Sequence, residues 1–125
     1  MSLTTAARAA AKEPGMEKVQ RWALGAGLAA GALDAGLVAV ADPGAGALVG
    51  VQSFVAWAGI GWAAVATRGA LSPVPHALLV TFALDLPWVL ALGPGAGHPE
   101  HVPPLAGMAA LVGLGLGWAR RRALR

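Results

Sequence analysis

The sequence predicts an all-α fold, a bundle of four transmembrane helices built from two parallel helical-hairpin repeats. Composition is the first indication: of 125 residues 57% are hydrophobic and only 12% are charged, whereas soluble domains carry about 25% charged residues. The second is the mean hydropathy of +0.64, because a 12.4 kDa soluble globule has too little interior to hide so much apolar side chain. The third is that Lys and Arg occur only in three blocks separated by long apolar stretches.

Four apolar stretches, each bounded by turn-forming residues, are long enough to cross a bilayer as helices. Roughly 20 helical residues cross a hydrocarbon core of about 30 Å, and the short fourth stretch reaches this length with arginine side chains that snorkel at its end. Strands are a poor alternative, because Ala and Gly are weak strand formers and no stretch alternates polar with apolar residues. The predicted spans are about 22–41, 45–67, 71–92 and 103–119.

The basic residues predict the orientation of the helices. They lie before span one, between spans two and three, and after span four, and four crossings place these segments on one side of the membrane. The positive-inside rule then puts both termini in the cytoplasm of a multi-pass protein of the cell inner membrane. The basic residues are explained by their role in setting the membrane orientation, so the net positive charge does not indicate nucleic-acid binding. We therefore expect no nucleic-acid partner. The predicted regions are an N-terminal tail at 1–20, a membrane domain at 21–120 and a basic tail at 121–125.

Two short motifs recur in the same order in the two halves of the chain. Ala-Leu-Asp at 32–34 recurs at 83–85, and Gly-Ile-Gly-Trp at 59–62 recurs as Gly-Leu-Gly-Trp at 115–118. The shared Asp and Trp carry the argument, because both types are rare in this chain. Each half contains two spans, so the halves have the same orientation. The repeat predicts an architecture only, since parallel repeats occur in transporters and in bundles with other roles.

Polar residues within the spans are the most informative positions. Asp34, Asp85 and Gln52 each lie about 12 Å below an outer helix end, as estimated from the helical rise. A carboxylate at this depth costs about 2.5–3.5 kcal/mol, so both must face the bundle. Thr81 lies four residues before Asp85 on the same helix face. These four side chains are expected to form a small oxygen-lined site for a proton or cation, or else to act as hydrogen-bonding glue between helices.

Glycines spaced by four residues predict where the helices approach each other most closely. Gly27 and Gly31 form a Gly-x-x-x-Gly pair on the helix face that carries Asp34, and Gly113 and Gly117 have the same spacing in span four. Small residues at this spacing let the backbones of membrane helices come into contact. We therefore expect all four glycines to be helix-packing positions.

The loop between spans three and four contains a weak candidate for a metal site. His98, Glu100 and His101 are residue types that bind metal ions, and Asp42 in the other outer loop is a candidate fourth ligand. Pro99 interrupts the spacing, and no helix holds the two imidazoles on one face. A solvated polar turn is the favoured interpretation, and we expect no cofactor.

Two functional hypotheses from different classes follow. Catalysis is not expected, because Cys and Tyr are absent and no Ser has a neighbouring base. The first hypothesis is a structural or accessory subunit, held by Gly-rich helix packing in a homo-oligomer or a larger membrane complex. The alternative is a proton- or cation-coupled small transporter or channel that uses Asp34 and Asp85. The lipid bilayer is the expected partner in both.

Overall fold

The structure, a computed structural model, describes residues 14–125. Within this range the chain forms no strand, and each of its long helices is apolar and long enough to cross a membrane. The predicted all-α four-helix bundle is therefore confirmed, while residues 1–13 of the predicted tail lie outside the described residues. The helices are α1 (Pro14–Ala41), α2 (Gly46–Ala66), α3 (Pro73–Leu92) and α4 (Val102–Ala123), with two short 3-10 turns, Pro94–Ala96 and Pro99–His101, between α3 and α4.

Two helices are longer than the predicted spans, because both continue beyond the apolar stretch. α1 begins at Pro14, a residue tolerated in the first turn, and its first turns are polar, with an ion pair between Glu17 and Arg21. α4 continues to Ala123 through a last turn rich in arginine. Positive charge is favourable at a helix C-terminus, so this turn stays helical outside the apolar stretch.

The chain folds as two helical hairpins. α1 packs most extensively against α2, and α3 against α4, as expected for neighbours joined by short connections. Smaller contacts of α1 with α4, of α2 with α3 and of α2 with α4 join the hairpins. This order places α1 and α3 on a diagonal of the bundle. The sequence repeat between the hairpins stays a prediction.

Glycine allows the close approach of α1 and α2. A Cβ atom added to Gly27 would lie 2.5 Å from the carbonyl oxygen of Ala58, and one added to Gly31 would lie 2.5 Å from that of Phe54. On the facing helix, a Cβ atom on Gly61 would lie 2.8 Å from the Cα of Gly27. Gly61 is a packing position that the sequence analysis did not single out.

The second hairpin uses glycine on its second helix. A Cβ atom on Gly113 would lie 2.9 Å from Cδ2 of Leu78, and one on Gly117 would lie 2.8 Å from the Cα of Val74. Both neighbours belong to α3. All four glycines that the sequence analysis selected thus lie at contacts within a hairpin.

The interior is built from small residues and the exterior from large apolar ones. Ala23, Ala64, Ala77 and Ala109 are 0% exposed, whereas Val40 is 82% exposed. A water-soluble domain hides its large apolar side chains, so this inverted distribution is typical of helices that face lipid.

The two ends of the bundle differ in charge. The starts of α1 and α3 and the ends of α2 and α4 lie at one end, which we call the basic end. Every described Lys and Arg belongs to it: Lys18, Arg21, Arg68, Arg120, Arg121, Arg122 and Arg125. The opposite end carries Asp42 and the loop with His98, Glu100 and His101.

Replacing Gly31 by Ala is expected to destabilise the protein by about 1–3 kcal/mol, because the new methyl group overlaps the backbone of α2. Gly36→Ala is the matched control on the same helix, since a Cβ atom there meets nothing within 4 Å. The control is expected to be neutral or slightly stabilising, because Ala favours helix more than Gly does. Unfolding of both variants in an SDS titration, followed by tryptophan fluorescence, measures the difference. Equal midpoints for the two variants would contradict the packing role of Gly31.

Candidate functional site

Asp85 lies on the buried face of α3. Ala77, Thr81, Asp85 and Val89 are all buried, and they follow one another at intervals of four residues. Residues four apart share a helix face, so this row is the face that α3 turns to its neighbours. Asp85 is 5% exposed and Thr81 is 0% exposed.

Asp34 lies on α1, half-buried, and is held by α2. The hydroxyl group of Ser53 donates a hydrogen bond to Oδ2 of Asp34. Asp85 lies on α3, the helix diagonal to α1, so the two carboxyls belong to different hairpins. The structure thus gives Asp34 a partner on α2 and places Asp85 and Thr81 together on the buried face of α3, and the shared site stays a prediction.

Ser53, and not Gln52, is the residue of α2 that bonds to Asp34. Gln52 is exposed. Successive helical residues turn by about 100°, so Ser53, seven residues before the buried Ile60, lies within about 20° of its face. Gln52 is turned away from Ile60 by about 80°. The sequence analysis selected Gln52 by its depth in the membrane alone. The helix face that carries the buried residues of α2 instead identifies Ser53 as the residue that contacts Asp34.

Polar groups in the carboxyl region are only partly satisfied. Oγ1 of Thr81 is buried without a hydrogen-bond partner, and Asp85 accepts no hydrogen bond from any residue of the described range 14–125. No Lys or Arg lies between Arg21 and Arg68 or between Arg68 and Arg120, so the spans supply no counter-ion. Buried charge is expensive unless it is paired, which leaves a proton or a bound cation to neutralise the carboxyls.

A second polar cluster, which the sequence analysis missed, lies at the basic end. Nη1 of the buried Arg120 donates to the carbonyl oxygens of Val65 at 2.8 Å and of Thr67 at 2.6 Å. These carbonyls belong to the end of α2, where free acceptors and the helix dipole favour a cation. The Thr67 hydroxyl donates to the carbonyl of Ala63 at 2.6 Å and therefore accepts from Nε2 of His76 at 2.9 Å.

Arg120 turns inward instead of snorkelling outward as the sequence analysis expected for arginines at the end of span four. The reason is its place in the buried row of α4, four residues after Leu116 and three after Gly117. Arg122 lies on the outer face, with its guanidinium 5.3 Å from the ring centroid of Trp118. The two arginines have different environments because they lie on different faces of α4, not because they differ in distance from the membrane.

The histidine loop is an exposed polar turn at the opposite end. Nδ1 of His98 lies 2.9 Å from Oε1 of Glu100, and the rings of His98 and His101 stack with centroids 4.9 Å apart. One ligand atom from each of these three residues lies within 4.8 Å of the others, and all three residues are exposed. Asp42 does not belong to this group, and its Oδ1 accepts from the backbone N–H of Gly44 at 3.2 Å. The structure thus brings together three of the four candidate ligands.

No family model matches the chain, and no curated protein and no solved structure matches it. The length and composition of its four helices define a class: the chain is a multi-pass integral membrane protein.

Arg120→Leu is expected to lower stability by about 1–3 kcal/mol, because it leaves buried carbonyls at the end of α2 without their donor. Arg121→Leu is the control, since it removes an exposed arginine from the same helical turn. Arg120→Lys keeps the charge and is expected to lie between the two. SDS titration measures all three, and an Arg120→Leu midpoint equal to that of the control would refute the anchoring role.

Proposed function

We propose that this integral membrane protein binds and moves a proton or a small cation at Asp34 and Asp85. One observation carries the proposal: a buried carboxyl, Asp85, lies one turn from the unpartnered hydroxyl of Thr81, in spans that contain no basic residue. Ionisable groups at this depth in membrane proteins commonly belong to ion or proton pathways.

The chemistry of the four oxygen-bearing side chains fits this role. A carboxyl group takes up and releases a proton, so each of the two can carry one step of proton movement. The hydroxyl groups of Ser53 and Thr81 supply a donor and an acceptor beside each carboxyl, with Ser53 bonded to Asp34 and Thr81 unpartnered within the described chain. The same oxygens suit a hard cation, since carboxylate and hydroxyl oxygens are its preferred ligands.

The double variant Asp34→Asn, Asp85→Asn is expected to abolish flux, because an amide neither binds a proton at neutral pH nor neutralises a cation. The purified protein is reconstituted into liposomes that contain a pH-sensitive dye, with a potassium gradient and valinomycin to impose a potential. Wild type is expected to change the internal pH faster than protein-free liposomes, and the double variant to match protein-free liposomes. Parallel liposomes with sodium- and potassium-sensitive dyes test the cation arm.

Glu100→Gln is the matched control, because it neutralises a carboxyl of the exposed histidine loop. It is expected to retain full flux. Circular dichroism and size-exclusion chromatography establish that each variant is folded. Wild-type flux in a folded double variant, or no flux of any of these ions through wild type, would overturn the proposal.

A groove between α1 and α4 favours a second candidate function, that of an assembly subunit. The groove has a volume of about 870 Å³, and its lining is almost wholly apolar. Gly25 and Gly115 belong to its lining, and a Cβ atom on either would meet nothing within 4 Å. Open glycines beside an apolar groove suit the close approach of another membrane helix. We propose a helix of a second copy as its occupant, which gives a homo-oligomer or a building block of a larger membrane complex.

Gly115→Leu is expected to fill this groove and shift the protein toward monomer. Gly59→Leu is its control, because Gly59 is equally open, lies on α2 and is not among the groove residues. Analytical ultracentrifugation in mild detergent measures association of wild type and both variants. A monomeric wild type, or equal association of the two variants, would count against this candidate.

We further propose the cell inner membrane as the location, with both termini in the cytoplasm. The support is the charge difference between the ends of the bundle, since loops rich in Lys and Arg are retained on the cytoplasmic side. The basic end also fits a partner role for anionic lipid of the facing leaflet.

A further inference from the structure

A concave, strongly basic surface lies at the basic end. It is a crevice of about 710 Å³ between the start of α1, the end of α2 and the end of α4, and we call it the basic crevice. Four basic residues and no acidic residue of the described chain contribute to its lining. The four are Lys18, Arg68, Arg120 and Arg125.

Arg120 gives the basic crevice a fixed positive charge at its inner wall. The residue is 4% exposed, and its Nη1 is held by two carbonyl oxygens of α2, so the guanidinium group is already oriented. Its Nε is buried without a hydrogen-bond partner among residues 14–125. Arg68, Arg125 and Lys18 are exposed and lie around this fixed charge. A preoriented cation surrounded by exposed ones is a suitable arrangement for a multiply charged anion.

The orientation of the protein in the membrane accounts for the presence of basic residues at this end. It does not account for which of them line the crevice. Arg121 and Arg122 belong to the same helical turn as Arg120, yet neither contributes to the crevice. Arg21, also outside it, is paired with Glu17. The crevice therefore collects a particular subset of the basic residues. A concave site that contains charges of one sign concentrates the field and raises the local concentration of the opposite ion.

We propose that the basic crevice binds a phosphate group. Guanidinium groups match the oxygen geometry of phosphate, and lysine adds a compact charge. Apolar neighbours complete the lining, among them Met16, Val19 and Leu124. Phosphate of this kind comes from two sources, the headgroup of an anionic phospholipid in the facing leaflet or a free phosphate anion. The inference is independent of the carboxyl pair.

The test compares two double variants with equal loss of charge at the same end of the bundle. Arg68→Gln with Arg125→Gln removes two crevice residues, whereas Arg121→Gln with Arg122→Gln removes two arginines outside it. The full chain is purified in an uncharged detergent, and binding is measured by native mass spectrometry and by the shift in thermal stability. One arm titrates phosphatidylglycerol against phosphatidylcholine, and the other titrates sodium phosphate against sodium chloride at equal ionic strength.

Wild type is expected to bind phosphatidylglycerol, phosphate or both. The crevice variant is expected to bind at least about tenfold more weakly, because each lost charge-assisted hydrogen bond costs about that factor. The variant outside the crevice is expected to bind like wild type. Binding of phosphatidylglycerol but not of free phosphate identifies the lipid headgroup as the source. Binding of both probes identifies a general phosphate site. The single variant Arg125→Gln replaces the crevice variant if circular dichroism finds the latter unfolded. Wild-type preference for neither anionic probe, or equal weakening in both double variants, would overturn the proposal.

Discussion

The hydrocarbon core of a bilayer contains no hydrogen-bond partner for a carboxyl group or a free backbone carbonyl. In this protein the carboxyl groups at depth are turned toward another helix: Asp34 meets Ser53, and Asp85 lies with Thr81 on the buried row of α3. At the basic end, Arg120 supplies the donor that the last carbonyls of α2 lack. The positions of these polar groups therefore fix how the helices are rotated about their axes.

Small residues make this arrangement sterically accessible. Because Gly27, Gly31 and Gly61 allow the backbones of α1 and α2 to touch, even a short side chain such as Ser53 reaches across to the facing helix. A wider interface built from Leu would separate the same groups. Helix packing and the polar chemistry of the interior are thus linked, and a substitution that widens one hairpin is expected to disturb both.

The asymmetry of charge has consequences on two scales. Over the whole chain, it favours one orientation in the membrane. Locally, the face of α4 sorts neighbouring arginines into different environments, with Arg120 buried against α2 and Arg122 stacked on Trp118. The two carboxyls lie within the spans and the basic crevice lies at one end, so the polar chemistry of this small protein is divided between separate places.

The four spans, the all-α class and the burial of Thr81 and Asp85 followed from the sequence, because hydropathy and a four-residue spacing are properties of a single helix. Only the tertiary structure decided that Ser53 replaces Gln52 beside Asp34, that Arg120 turns inward and that a basic crevice forms. These features depend on how two helices are rotated against each other. Periodicity defines the faces of a helix, but the neighbour that each face meets is set by the packing of the whole bundle.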